Sequence, residues 1–314
     1  MLKNIAITII GLSYSVAAQA ADCKPSKWGA QDEIGAANHI TPSSIKDAAK
    51  LIKQGKSAPL GIVVEPGMPA FPPRFVNLNV HQPNQTLGRK TGPAFGWNFN
   101  YNDDSAQLWF GVGPQIDGLS HFGDDGVFYN CNKAVDFIEV TGAKKMGIEG
   151  IPPLVGRGVL INMAKHFKVA SMEAGQGITP ADVDAAIKAQ DIKIKKGDII
   201  LFHTGWTDEK LKKDPKTWAS VEPGLTNAAA QHVANMNPMV VGSDTWGLGP
   251  VPPVKGDKVF FDHAIFLKEH GIYILENIDT GVLAKENVKE FMFVLGQARV
   301  KGAVQMIINP VAMW

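Results

Sequence analysis

The sequence predicts a single α/β domain, and three observations carry that prediction. Short apolar runs that read as buried strands recur at residues 158–163, 196–206, 238–245 and 272–277, and they alternate with capped helical segments through the second half of the chain. The composition, 45% apolar and 19% charged over 314 residues, is that of a chain able to bury a large core. Neither an internal repeat nor a low-complexity linker divides it.

Taken in order, the N-terminus has Lys3, an apolar segment from about Ile5 to Ala17, and then the small residues Ala18-Gln19-Ala20. This is the pattern of a secretory signal peptide, with maturation expected after Ala20 and one domain over 21–314. The apolar segment falls short of the roughly 20 residues that span a bilayer, so no membrane association is expected after processing. Export would place the protein in the periplasm or outside the cell, an oxidising setting in which Cys23 and Cys131 could pair.

Residues 28–44 are polar and turn-rich up to Thr41, which reads as an N-cap with Pro42 at the first helical position of a helix running to about Gln54. Gly55 should end it. A strand is expected over Pro59–Val64, followed by a rigid Pro-rich loop at Pro66–Pro73. Residues Asn77 to Asp104 read as irregular, completing an N-terminal excursion to about residue 105. Its aromatics Phe95, Trp97, Phe99 and Tyr101 either line a pocket for a flat substrate or pack among themselves at the surface.

The stretch from Leu108 to Phe122 carries the polar triplet Gln115, Asp117 and His121 inside an apolar, Gly-rich run. A short strand leading into a turn would bring these three side chains together, an arrangement suited to a metal or to an acid/base pair, although a hydrogen-bonded turn has the same ingredients. Asp124 and Asp125 follow in a solvated turn, with too few oxygen ligands nearby for a calcium loop.

Beyond the strand at 158–163, Thr179 caps a helix that has Pro180 at its first position. Residues 196–206 form a turn and a buried strand in which His203 reads as a hydrogen-bonded core residue. A charged, Pro-containing insertion spans Trp206 to Trp218, and Pro223 opens a helix through Val233. The strand at 238–245 ends in polar residues, where Asp244 serves either a turn or a site. His263 starts a helix-like run to His270, Gly271 stops it, and the next strand places Glu276 in an apolar context where a carboxylate needs a partner. Two further strands, Phe291–Leu295 and Ala303–Ile308, close the fold.

Several functions are excluded on these grounds. A net charge of +1 provides no footprint for nucleic acid. Zinc-peptidase, P-loop, dinucleotide-binding and serine-elbow motifs do not occur.

The ordered blocks at 117–121, 197–206, 223–225, 241–245 and His263 through Asn277 resemble the cyclase family that includes kynurenine formamidase and isatin hydrolase. Residues 28–38 are similar to the start of its longer members. The resemblance implies a swivelling β/β/α fold, a homo-oligomer built on a dimer, and metal-dependent hydrolysis of an amide, formamide or cyclic amide. The family's hallmark, His-x-Gly-Thr-His-x-Asp-x-Pro-x-His, falls on residues 111–121. Gly113, Asp117 and His121 are kept, while Gly111 and Gln115 stand where the hallmark has its first two histidines, Pro114 replaces Thr and Leu119 replaces Pro. By resemblance Asp117, His263 and Glu276 are metal ligands and His121 is the general acid/base. The Gln115 carboxamide oxygen completes a mixed oxygen and nitrogen set for one divalent ion, Mn or Zn. The implied function is exported metal-dependent hydrolysis of the C–N bond of a small molecule. A member that only binds a small aromatic ligand, and a metal-free lactone hydrolase or dehydratase, are the alternatives.

Overall fold

The computed structural model describes residues 23–82 and 101–314. The signal peptide expected at 1–20 and the aromatics Phe95, Trp97 and Phe99 lie outside the described residues.

A nine-stranded mixed sheet organises the fold. In spatial order its strands are Ser57–Pro59, Val311–Met313, Glu290–Leu295, Leu154–Asn162, Ile199–His203, Val240–Ser243, Tyr273–Glu276, Gln115–Asp117 and Gln305–Ile307. The four from Leu154–Asn162 to Tyr273–Glu276 run parallel, and antiparallel strands flank them on both sides. Parallel strands covered on both faces need apolar residues at consecutive positions, and all five residues of Ile199–His203 are buried. Glu290–Leu295, nearer the edge, alternates buried and half-buried residues.

The helices Pro42–Ala49, Pro180–Ala189 and Asn227–Asn235 each begin where a threonine side chain accepts a backbone N–H. Thr41 and Thr179 form capping boxes with Ser44 and Asp182, and both helices have proline in the first turn, as expected. The first helix ends at Ala49, short of the expected Gln54, because the chain turns at Lys50 and hydrogen-bonds to Trp314 from Gln54 onward. The expected strand at Pro59–Val64 is instead Ser57–Pro59, followed at Gly61 by one isolated bridge to Ile278.

Three other segments differ from expectation. Val76–His81 and Asp103–Leu108 pair as an antiparallel ribbon that overlaps both ends of the stretch expected to be irregular; Val76, Leu78 and Val80 alternate with polar residues, a strand signal that sequence reasoning missed, whereas Asp103–Leu108 has no such alternation. The insertion between Trp206 and Trp218 folds as two short helices, with both tryptophans buried and Trp206 Nε1 donating to the Trp218 carbonyl at 3.3 Å. The helix expected from Pro223 begins later, at Asn227, because Gly224–Leu225 first pairs in parallel with Gly177–Ile178.

The N-terminal segment is stitched to the back of the domain. Cys23 and Cys131 are disulfide-bonded, with 5.5 Å between their Cα atoms. Asp32 accepts from Tyr129 Oη, Ser26 Oγ and Asn38 Nδ2 at 2.6, 2.8 and 2.7 Å, and Tyr273 Oη donates to the Ile34 carbonyl at 2.8 Å. Among the described residues no helix is long and apolar enough to cross a membrane.

Candidate metal centre

Strand register builds the centre. Gln115 lies opposite Glu276 across one strand pair, and Asp117 lies opposite Gln305 across the next. Side chains two apart on a strand share a face, so Gln115 and Asp117 point the same way, and each meets a polar cross-strand partner. Gln115 Nε2 donates to Glu276 Oε2 at 2.6 Å and to Asp117 Oδ1 at 3.3 Å. Gln305 Nε2 donates to Asp117 Oδ1 at 2.7 Å.

His263 arrives from the opposite direction. It ends the short helix Phe261–His263, which continues as a wide π-helical turn over Ala264–Glu269 before Gly271, at φ +63°, stops it. A Cβ at Gly271 would lie 2.5 Å from the Tyr129 ring, so the stop needs glycine on both counts. His263 Nε2 sits 3.1 Å from Glu276 Oε1 and 3.6 Å from Asp117 Oδ2, and Nδ1 lies 3.1 Å from Asp262 Oδ2. His121, in the turn after Gln115–Asp117, brings Nε2 to 3.9 Å from Asp117 Oδ2. The structure therefore gathers all five expected site residues in one place.

The electrostatics follow from burial. Glu276 is pushed up to about 7 by desolvation and by the Asp117 charge, against the pull of His263 and Arg74. Burial opposes charge on His263, yet Asp262 and Glu276 overcome it and hold its pKa well above the usual imidazole range. Burial lowers the His121 pKa despite Asp117, with His263 and Arg74 lowering it further, so its imidazole is neutral at pH 7.

The donor set fits a divalent ion. Asp117, His263 and Glu276 each offer one ligand atom, all within 4.8 Å of one another, and all three residues are buried. Atoms that bond one ion at about 2.0–2.2 Å lie roughly 3–4 Å apart, as the two His263 Nε2 separations do. Among the described residues Asp117 Oδ2 is buried without a hydrogen-bond partner, which leaves an acceptor in need of a cation or donor. Gln115 approaches the carboxylates through its nitrogen rather than its oxygen, because two neighbouring carboxylates need N–H donors between them. Asp262, 3.1 Å from His263 Nδ1, has the placement of an outer carboxylate that would fix the imidazole's tautomer for an ion at Nε2.

Beside the centre is a cavity of about 190 Å³ lined by Phe71, Arg74, Phe122, Trp246 and Phe260 together with His121, His263 and Glu276. Phe71 stacks on Trp246 at 5.4 Å between centroids, and Phe260 packs against both. Three larger clefts, about 440 Å³ beside Pro215, about 280 Å³ beside Cys23 and about 240 Å³ beside Arg157, lack the metal-ligating triad.

Sequence reasoning missed Arg74, Asp262, Gln305 and the three aromatics Phe71, Trp246 and Phe260. Only Asp262, adjacent to His263, carried a local signal. His203 is a core residue as expected, with Nδ1 2.8 Å from Thr280 Oγ1. Asp244 ties two strand ends together rather than capping its own turn: Oδ1 accepts from the Thr204 N–H at 2.8 Å and hydroxyl at 2.7 Å, just beyond Ile199–His203.

The Cyclase family model matches residues 58–250. Among solved structures, the chain is similar to a novel cyclase at 28% identity and TM-score 0.83, over 92% of this chain and 98% of that one. It is similar in fold to isatin hydrolase A from Ralstonia solanacearum at 16% identity and TM-score 0.61, covering 87% and 97% of the two chains. Isatin hydrolase A from Labrenzia aggregata, bound to benzyl benzoate, aligns at 16% identity and TM-score 0.56 over 82% and 93%. No curated protein matches the chain. The α/β architecture is thus of the swivelling β/β/α kind that the resemblance implied.

Proposed function

This chain belongs to the Cyclase family, and from that premise we propose that it is a metal-dependent hydrolase of the C–N bond in a small amide, formamide or cyclic amide. The observation that carries the reading is the buried triad Asp117, His263 and Glu276 beside an aromatic cavity that also presents His121. A divalent ion, Mn or Zn, held by that triad supplies Lewis-acid polarisation of a carbonyl and activation of water.

The chain's own residues supply the rest. Asp262 holds Nδ1 of His263, so that Nε2 is directed at the two carboxylates. Gln115 and Gln305 satisfy the outer carboxylate oxygens and fix their rotamers. His121, neutral at pH 7, takes the proton from the attacking water at Nε2 and delivers one to the leaving nitrogen. Phe71, Trp246 and Phe260 form an apolar wall against which a flat acyl or lactam group packs, and their bulk keeps bulk water from the reacting carbonyl. The cavity's size favours a substrate of one or two rings over a peptide. Maturation after Ala20 and export belong to the same proposal; the leader-like first 20 residues and the cysteine pair support it.

The test is a hydrolysis screen of N-formyl aromatic amines, isatin-like lactams and lactones, run with added Mn or Zn and with chelator. Turnover of an amide or lactam that disappears in chelator, and falls by about 10²–10⁴ in His121→Ala, is expected. Activity that survives chelator but not His121→Ala would favour metal-free lactone or dehydratase chemistry. Ligand binding without turnover in every condition would make the protein a binding member of the family.

A further inference from the structure

The pair of carboxylates at the centre has one closed side and one open side. On the closed side, Asp117 Oδ1 accepts from Gln305 Nε2 at 2.7 Å and from Gln115 Nε2 at 3.3 Å, and Glu276 Oε2 accepts from Gln115 Nε2 at 2.6 Å. The open side holds Asp117 Oδ2, Glu276 Oε1 and His263 Nε2. Each carboxylate has thus committed one oxygen to amide donors and kept one for a cation.

Arg74 stands beside this arrangement. Its Nη1 donates to the Gly111 carbonyl at 2.7 Å. The guanidinium occupies space that a side chain at residue 111 would otherwise fill: a Cβ there would lie 2.6 Å from Nη1, 2.9 Å from Cζ and 2.8 Å from Gln305 Oε1. Gly111 is therefore the seat that admits a cation next to the acid pair. Arg74 also lines the aromatic cavity with His121, His263 and Glu276. Arg74, Gly111 and Glu276 also share the lining of a second, smaller cleft.

We propose that Arg74 is a built-in cation of the centre: with the two glutamine amides it confines the site to one divalent ion on the open side, and by repulsion it weakens the hold on that ion. The inference rests on the metal-dependent reading above. Arg74 is a tuning residue rather than a ligand, because a guanidinium has donors only. At an effective dielectric of about 20, a unit charge on the wall of the same cavity as a divalent ion changes its affinity by about tenfold or more.

Calorimetric titration of the metal-free protein with Mn²⁺ and with Zn²⁺ tests this. The wild type should bind one equivalent. Arg74→Gln, which removes the charge but keeps a polar side chain, should bind one equivalent with a Kd at least about tenfold lower. Arg74→Lys, which keeps the charge, should stay within about threefold of wild type. Arg74→Met carries the same expectation as Arg74→Gln and serves if that variant does not fold. Two equivalents in the wild type, or equal affinity in the wild type and the neutral variants, overturns the inference alone. No uptake in any of these proteins overturns the metal-dependent reading together with it.

Discussion

Gln115 keeps two buried carboxylates in register with a single amide group. Asp117 and Glu276 are 0% and 3% exposed, and the Gln115 N–H donor between them offsets only part of their repulsion, since Glu276 is still pushed up to about 7. A different residue contributes to the pH response of the fold. His39 packs its ring edge-on against Trp28, 5.2 Å between centroids, and its Nε2 is buried with no partner. Burial, with Lys27 and Lys196 nearby, lowers its pKa to about 4 from the 6.5 of a free imidazole. As pH falls, the unfolded chain takes up this proton first. The contribution of neutral His39 is therefore complete above pH 6.5 and is lost as pH drops toward about 4. Discounted for partial exposure, the loss is about 1–2 kcal/mol. Urea denaturation of wild type and His39→Phe at pH 7 and pH 4.5 should show the variant losing less stability between the two; equal losses would refute the assignment.

Among the elements, the strand Leu154–Asn162 carries the most connections in its one arginine. Arg157 donates from Nη1 to Asp198 Oδ2 at 2.7 Å, from Nη2 to Glu290 Oε1 at 2.8 Å and to the Lys193 carbonyl at 2.8 Å. It thereby ties the strand to its antiparallel neighbour and to the turn that feeds Ile199–His203. Arg157→Met would leave Asp198, 3% exposed, without its counter-charge, and should destabilise by about 3–5 kcal/mol. The double variant Arg157→Met/Asp198→Asn should recover part of that loss in the same denaturation experiment, and a fully additive result would deny the coupling.

How far such elements can be read from sequence depends on what their residues face. The threonine-proline caps at Thr41 and Thr179 and the buried strands at Ile199–His203 and Val240–Ser243 were legible, because local chemistry and continuous burial coincide there. The ribbon of Val76–His81 and Asp103–Leu108 was only half legible: Val76, Leu78 and Val80 alternate with polar residues, while its partner strand has no apolar face to pattern it. The strand Val311–Met313 was too short to signal itself. The same division holds within the centre. Asp117, Gln115 and His121 lie in one motif, and His263 and Glu276 follow in ordered blocks. Gln305 and Arg74 join only through strand register and through the space at Gly111, neither of which is written in local sequence.

For the whole molecule, the Cys23–Cys131 bond spans a sequence separation of 108 residues. Closing a loop of that length removes chain entropy from the unfolded state equivalent to about 4–5 kcal/mol. Cys131→Ser and the reduced wild type should share a lower Tm than the oxidised protein, and unchanged melting under reductant would show that the hydrogen bonds around Asp32 hold the N-terminal segment by themselves.

The cross-strand pairing of Gln115 with Glu276 and of Asp117 with Gln305 also sets an order in time. A ribosome makes residues 115–117 early, but Glu276 and Gln305 emerge only after most of the chain has been translated. Until then Asp117 and Gln115 belong to a strand without neighbours on either side. On the proposed metal-dependent reading, the ligand set of Asp117, His263 and Glu276 would be assembled only once the polypeptide has been synthesised through Glu276 and has closed its sheet.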